Sequence, residues 1–169
     1  MELTKKQKCI KYICFGALLL LADLLQNVSG LLPEIFSARC FIIIPALILL
    51  IIGEEEICAG FIGLFTGMLW DLTSGVHLGF NCIFFAVLCF GISALINRLM
   101  RDTFITNMLM CAFSIVLYCL IYWLFFIVIK GVNGGDMTIF TFYLPSAIYT
   151  MLITPIAYLI LRKIKKKLN

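Results

Sequence analysis

Six long apolar segments, joined by short polar stretches, dominate this sequence. They lie at about 9–30, 34–53, 57–73, 79–97, 107–129 and 141–161. A helix needs about 20 mostly apolar residues to cross a bilayer. Each segment is close to that length, so each could span the membrane. Hydrophobic residues make up 63% of the chain, which is more than a soluble domain could bury. The pattern predicts an all-α integral membrane protein with a single six-helix transmembrane domain over residues 1–169. It excludes soluble enzymes and nucleic-acid-binding modules.

The distribution of Lys and Arg predicts the orientation of these helices. Nearly all of the 13 basic residues fall in the N-terminal tail, the loop after the fourth segment and the C-terminal tail. Only Arg39 and Lys130 fall on the opposite side. Cytoplasmic loops carry an excess of basic residues, and an even number of spans places both termini on one side. We therefore expect both termini to be cytoplasmic.

Two aspartates fall inside predicted spans, where a charge is costly and normally faces the bundle interior. At 1.5 Å per residue, Asp23 lies about 16 Å and Asp71 about 21 Å from the cytoplasmic start of its helix. Both therefore belong to the outer half of the membrane. Gln26 follows Asp23 by three residues and shares its helix face. We expect Asp23, Gln26 and Asp71 to bind a partner or to form structural polar contacts.

Arg39 is a further candidate in the same half of the membrane. If the second helix begins at Pro33-Glu34, Arg39 lies about 8 Å inside it. One interpretation is an ion pair from Arg39 to Asp23 or Asp71. The other is that its guanidinium extends to the outer surface while its apolar stem stays in the membrane.

Small residues repeat along one face of the third segment. Gly60, Gly63, Gly67 and Asp71 fall within about 80° of arc on a helix. Glycines at this spacing let a second helix approach closely. The pattern predicts a helix-packing seam that ends in a carboxylate, and such a seam also permits a homo-oligomer. For Asp71 a structural pair and a functional site both remain open.

The sequence contains no recognisable catalytic arrangement. It lacks a nucleophile elbow, a phosphate-binding loop, a zinc-protease helix and a supported pair of carboxylates. The acidic run Glu54-Glu55-Glu56 precedes the third segment, where the helix dipole favours negative charge. We therefore expect no enzyme, no catalytic residue, no metal and no cofactor.

The third segment resembles a known family. The stretch from Gly60 to Asp71, followed by Leu78-Gly79, resembles the rod shape-determining protein MreD family. The stretch from Leu24 to Glu34 is similar to the first helix and outer turn of that family. Chain length, six spans, short loops and a basic C-terminal tail fit the same family.

The resemblance implies a non-enzymatic subunit of the bacterial cell-elongation machinery in the cytoplasmic membrane. Such a protein would bind an MreC-like single-span membrane protein and help couple the MreB cytoskeleton to peptidoglycan synthesis and cell shape. It would also lie near a RodA-like glycosyltransferase and a class B penicillin-binding protein. The basic ends would contact membrane lipid, and no nucleic acid is implied.

A second class of function is small-molecule transport. In length and span number the chain is also similar to the substrate-binding subunits of energy-coupling vitamin importers, whose fold it is expected to share. Pro45 interrupts the second segment and the third is short and glycine-rich, and such spans can flank a binding site. Against this interpretation, Ala17 and Ala22 are five residues apart, whereas those importers carry an Ala-x-x-x-Ala motif.

Overall fold

Helices account for nearly all of the structure, a computed structural model that describes residues 5–28, 40–75, 78–100, 102–129, 137 and 139–168. The α-helices are α1 Lys5–Asn27, α2 Ile43–Ile51, α3 Glu56–Ser74, α4 Phe80–Leu99, α5 Phe104–Trp123 and α6 Leu144–Leu168. A π-helical segment, Leu124–Val128, continues α5, and another, Ile139–Tyr143, leads into α6.

Five of these helices are long and apolar enough to cross a membrane. The candidate spans in the described residues are Lys6–Asn27, Glu56–Ser74, Phe80–Leu99, Phe104–Val128 and Ile139–Lys165. They correspond to the first, third, fourth, fifth and sixth predicted segments. The chain is therefore a helical membrane protein.

The second predicted segment differs from the prediction. A full span over 34–53 was expected, but α2 has only nine residues. That is about 14 Å of helix, under half of the roughly 30 Å hydrocarbon core. Residues 29–39, which include Arg39, lie outside the described residues. Pro45 does not interrupt this helix, because it stands in the first turn and the first i→i−4 hydrogen bond comes from Ala46.

The short helix α2 lies at the centre of the bundle. All nine of its residues are buried, and it packs against each of α1, α3, α4, α5 and α6. A helix that is apolar on every side is stable only when other helices surround it or when it spans a membrane. Here the longer helices provide those surroundings, so α2 is the core of the domain.

Contacts between helix ends show which termini lie together. Lys11, early in α1, pairs with Glu54 just before α3, and Thr73, late in α3, donates to Asp23, late in α1. Lys165, late in α6, reaches Leu50 near the end of α2. The beginning of α1 and the end of α6 therefore lie at one end of the bundle, here called the Glu54 end. The opposite end is called the Asp71 end.

Candidate functional site

Asp71 caps the start of α4. Its carboxylate accepts hydrogen bonds from the Gly79 N–H at 2.8 Å, the Asn81 side-chain amide at 2.8 Å and the Cys82 N–H at 3.2 Å. Asp71 is only 3% exposed. The first N–H groups of a helix have no partner within the helix, and the helix dipole favours an anion there. The contacts of Asp71 are thus those of a helix cap supplied by the preceding helix.

Two glycines shape the turn that brings α4 back onto Asp71. Gly75, directly after α3, has φ of 63°, and Gly79, directly before α4, has φ of 94°. Residues other than glycine rarely adopt this left-handed backbone conformation. The Gly75 N–H also closes the end of α3 by donating to the Asp71 carbonyl at 3.0 Å. The turn therefore depends on glycine at both ends.

The glycine face of α3 packs against α4. A Cβ placed on Gly63 or Gly67 would lie within 3.0 Å of the backbone carbonyl of Phe85 or Asn81, respectively. Gly60 leaves more room, because its Cβ would lie 3.7 Å from the Cβ of Phe90. The two helix backbones thus approach closely at Gly63 and Gly67. The seam that could support a homo-oligomer is filled by α4 of the same chain.

Asp23 links α1 to α3 at the Asp71 end. It is buried, and its Oδ1 accepts hydrogen bonds from the Asn27 side-chain amide at 3.1 Å and the Thr73 hydroxyl at 3.3 Å. Asp23 and Asp71 therefore each have partners within the chain. The hypothesised ion pair between Arg39 and either aspartate lies outside the described residues.

Gln26 helps to hold the start of α2. Its Oε1 accepts a hydrogen bond from the Ile43 N–H at 3.2 Å. Thr150 of α6 accepts another from the Phe41 N–H at 3.0 Å. Side chains of two surrounding helices thus satisfy backbone N–H groups that the short helix leaves without partners.

A second polar cluster lies at the Glu54 end, and sequence reasoning missed it. Glu54 is buried, its Oε1 lies 2.6 Å from Lys11 Nζ, and the Tyr12 hydroxyl donates to its Oε2 at 3.4 Å. The Glu54 backbone carbonyl accepts from the Ser93 hydroxyl at 2.8 Å and the Asn97 amide at 2.9 Å. The turn between α2 and α3 is therefore held by α1 and α4.

Lys165 adds α6 to this cluster. Its ammonium group donates to the carbonyl oxygen of Leu50 at 2.9 Å and to that of Ile52. The last carbonyls of a helix lack partners within it, and a cation there is stabilised by the helix dipole. The end of α2 is thus capped by a lysine almost at the end of the chain.

The sequence did contain a signal for the Glu54 cluster. Lys11 falls within the first apolar segment, where a basic residue needs a partner or a route to the surface. From its position before the third segment, the acidic run 54–56 predicts only a favourable helix start. In the structure its three members differ: Glu54 pairs with buried Lys11, Glu56 with Arg98 at 3.0 Å, and Glu55 is exposed.

The polar groups of these clusters mainly hold helix ends in place. Asp71 holds α4, Gln26 holds the start of α2, and Lys165 holds its end. Within the described residues, no group of three or more His, Cys, Asp or Glu side chains could hold a metal ion. The arrangement supports a packed bundle whose exposed surface carries many large apolar side chains.

Comparison with known proteins identifies the family. A family model described as rod shape-determining protein MreD matches residues 8–168. No curated protein and no solved structure shows a significant match. The matched range covers nearly all of α1 and every helix up to the end of α6. The chain therefore belongs to the MreD family of rod shape-determining proteins, which are membrane proteins.

Proposed function

We propose that the chain is a non-enzymatic subunit of the bacterial cell-elongation machinery in the cytoplasmic membrane. It binds an MreC-like single-span protein and helps couple the MreB cytoskeleton to peptidoglycan synthesis. The RodA-like glycosyltransferase and class B penicillin-binding protein are further partners in this proposal. Membership of the MreD family supports the role in rod shape.

One structural observation supports a binding role over a chemical one. The buried carboxylates Asp23, Glu54 and Asp71 all have partners inside the bundle. The exposed surface of the long helices is rich in large apolar side chains. In a membrane, such a surface contacts lipid or the helices of other proteins. The proposed partner contact is therefore helix against helix.

We also propose that the Glu54 end faces the cytoplasm. The beginning of α1 and the end of α6 lie together at this end. Lys6, Lys8 and Lys163 lie on these two helix ends, and Arg98 lies near the end of α4. The excess of basic residues on cytoplasmic flanks supports this orientation.

Co-purification tests the proposal. The tagged protein is solubilised with a mild detergent from its native membrane, and the bound proteins are identified by mass spectrometry. We expect an MreC-like single-span protein, with wall synthases as weaker companions. Recovery of a transporter's membrane coupling subunit together with paired ATPases would overturn the proposal and favour the vitamin-importer alternative.

Site-specific photocrosslinking then locates the contact face. A photoreactive amino acid is placed at one exposed position on each long helix: Ile13, Met68, Val87, Leu109 and Leu152. Buried Ile48 of α2 is the matched control, because no partner can reach it. We expect a crosslink to the single-span protein from one helix or two neighbouring helices. Crosslinks at Ile48 as strong as those at the surface would contradict a lateral contact of the folded bundle.

A further inference from the structure

An open apolar groove of about 500 Å³ lies between α1 and α3 at the Glu54 end. Six side chains form most of its walls: Tyr12, Phe15 and Leu19 from α1, and Cys58, Ile62 and Phe65 from α3. Gly16 has no side chain, and a Cβ at this position would already contact the Phe65 ring at 3.8 Å. The missing side chain therefore leaves the groove open. The space is shaped for an apolar occupant.

The length of the groove along α1 indicates what kind of occupant fits. On α1 its lining runs from Cys9 to Leu19, which is about 15 Å at 1.5 Å per residue. The hydrocarbon core is about 30 Å thick, so the groove spans a single leaflet. A partner's transmembrane helix would cross both leaflets, whereas the acyl chain of a lipid occupies only one. The groove therefore fits an acyl chain better than a helix.

Basic side chains lie at the mouth of the groove. Lys8 precedes Tyr12 by four residues and Phe15 by seven, so it continues their face of α1 towards the helix start. Lys6 precedes Cys9 by three residues and Ile13 by seven, so it also continues the groove face of α1. Both lysines are exposed, and neither has an ion-pair partner among the residues that the structure describes.

Among the charged side chains of α1 and α3 that the structure describes, Lys6 and Lys8 are the cations outside an ion pair. Lys11 and Glu54 neutralise each other, as do Arg98 and Glu56. Glu55 is exposed three residues before Cys58 and opposes an anion. The free N–H groups at the start of α3 favour one. Two exposed lysines and a helix start therefore favour an anion above the apolar slot, against the single opposing charge of Glu55.

We propose that this groove binds one anionic phospholipid of the leaflet at the Glu54 end. One acyl chain lies between α1 and α3, and the phosphate lies beside Lys6 and Lys8. This site does not depend on which partner protein the bundle binds. It explains why an apolar slot and exposed lysines occur together at the same end of α1.

Native mass spectrometry tests the site on the full chain. Delipidated protein in detergent is titrated with phosphatidylglycerol and with phosphatidylcholine of the same acyl chains. We expect one phosphatidylglycerol to bind more tightly than phosphatidylcholine. Because a lysine near a membrane surface changes the affinity for anionic lipid about fivefold, the variant Lys6→Gln/Lys8→Gln should weaken phosphatidylglycerol binding roughly 10- to 30-fold. Equal affinities for the two lipids, or an unchanged affinity in this variant, would overturn the proposal.

Two further variants separate the acyl slot from the headgroup site. Gly16→Leu fills the groove and should abolish high-affinity binding of phosphatidylglycerol, whereas Gly91→Leu, at a position with open space around it, should not. Glu55→Gln removes the opposing charge and should tighten phosphatidylglycerol binding about fivefold. This gain cannot result from misfolding. Unchanged binding in Gly16→Leu, or loss of affinity in Glu55→Gln, would place the lipid elsewhere.

Discussion

The side-chain amide of Asn81 donates a 2.8 Å hydrogen bond to Asp71, so a residue of α3 fixes the first turn of α4. The same carboxylate accepts the backbone N–H groups of Gly79 and Cys82. Away from water, each polar backbone group without a partner costs several kcal/mol. A single buried aspartate therefore supplies the acceptor for the buried Asn81 amide and for two backbone N–H groups of this helix start.

Removing that carboxylate should destabilise the bundle. Asp71→Ala should lower the free energy of unfolding by about 2–4 kcal/mol, because buried donors lose a charged acceptor. Denaturant unfolding in detergent micelles, followed by circular dichroism, measures the change. Glu55→Gln is the matched control, since Glu55 is exposed and should change stability by under about 0.5 kcal/mol. Equal stability of the two variants would contradict the capping role of Asp71.

The seam between α3 and α4 should be intolerant of added atoms. Gly63→Ala and Gly67→Ala should each destabilise the protein by about 1–3 kcal/mol, because the new Cβ would collide with the backbone of α4. Gly91→Ala adds the same methyl group where nothing lies within 4 Å. It should be neutral or slightly stabilising. Thermal unfolding in detergent compares the three variants, and a similar loss at Gly91 would show that close packing is not the cause.

The contributions of Lys11 and Glu54 to the free energy of unfolding should be strongly coupled. Lys11→Met or Glu54→Gln alone should lower the unfolding free energy by about 3–5 kcal/mol, because a buried charge then lacks its partner. The double variant should recover much of that loss. A double-mutant cycle measures the coupling.

Arg98 and Glu56 provide the control for this cycle. The Arg98 side chain is 72% exposed. A cycle on this pair should give a coupling of only about 0–1 kcal/mol. Couplings of similar size at the two pairs would indicate that burial does not distinguish them.

The proposed orientation predicts which helix ends are reached from outside the cell. Ser74→Cys places a thiol at the Asp71 end, and Met100→Cys places one at the Glu54 end; both positions are exposed. A membrane-impermeant maleimide should label Ser74→Cys in intact spheroplasts and Met100→Cys only after permeabilisation. The parent protein, with its native cysteines, supplies the background. The reverse labelling pattern would invert the proposed topology.

Apolar length was sufficient to predict the five long helices but not the short helix α2. A long apolar run must cross the membrane as a helix, and this physical requirement is visible in the sequence around α1, α3, α4, α5 and α6. The run that contains α2 satisfies the same criterion. Its length cannot show that α2 begins at Ile43 and ends at Ile51, or that other helices surround it. That outcome depends on tertiary packing, which hydropathy does not contain.

The polar contacts, too, could be predicted from the sequence only in part. Spacing alone placed Asp71 on the face of Gly63 and Gly67, and this face packs on α4. The acceptor role of Asp71 depends on the backbone of a turn closed by two glycines, which spacing does not reveal. Glu54 was passed over because its partners Lys11 and Asn97 are each about 43 residues away.

The central position of α2 has a consequence for biogenesis. Its start is held partly by Thr150 and its end by Lys165, both in the last helix of the chain. During synthesis, the segment that becomes α2 emerges long before either residue exists. The packing around α2 is therefore complete only after the last helix has been inserted. A chain that stops before Thr150 would therefore lack both contacts by which the last helix holds the two ends of α2.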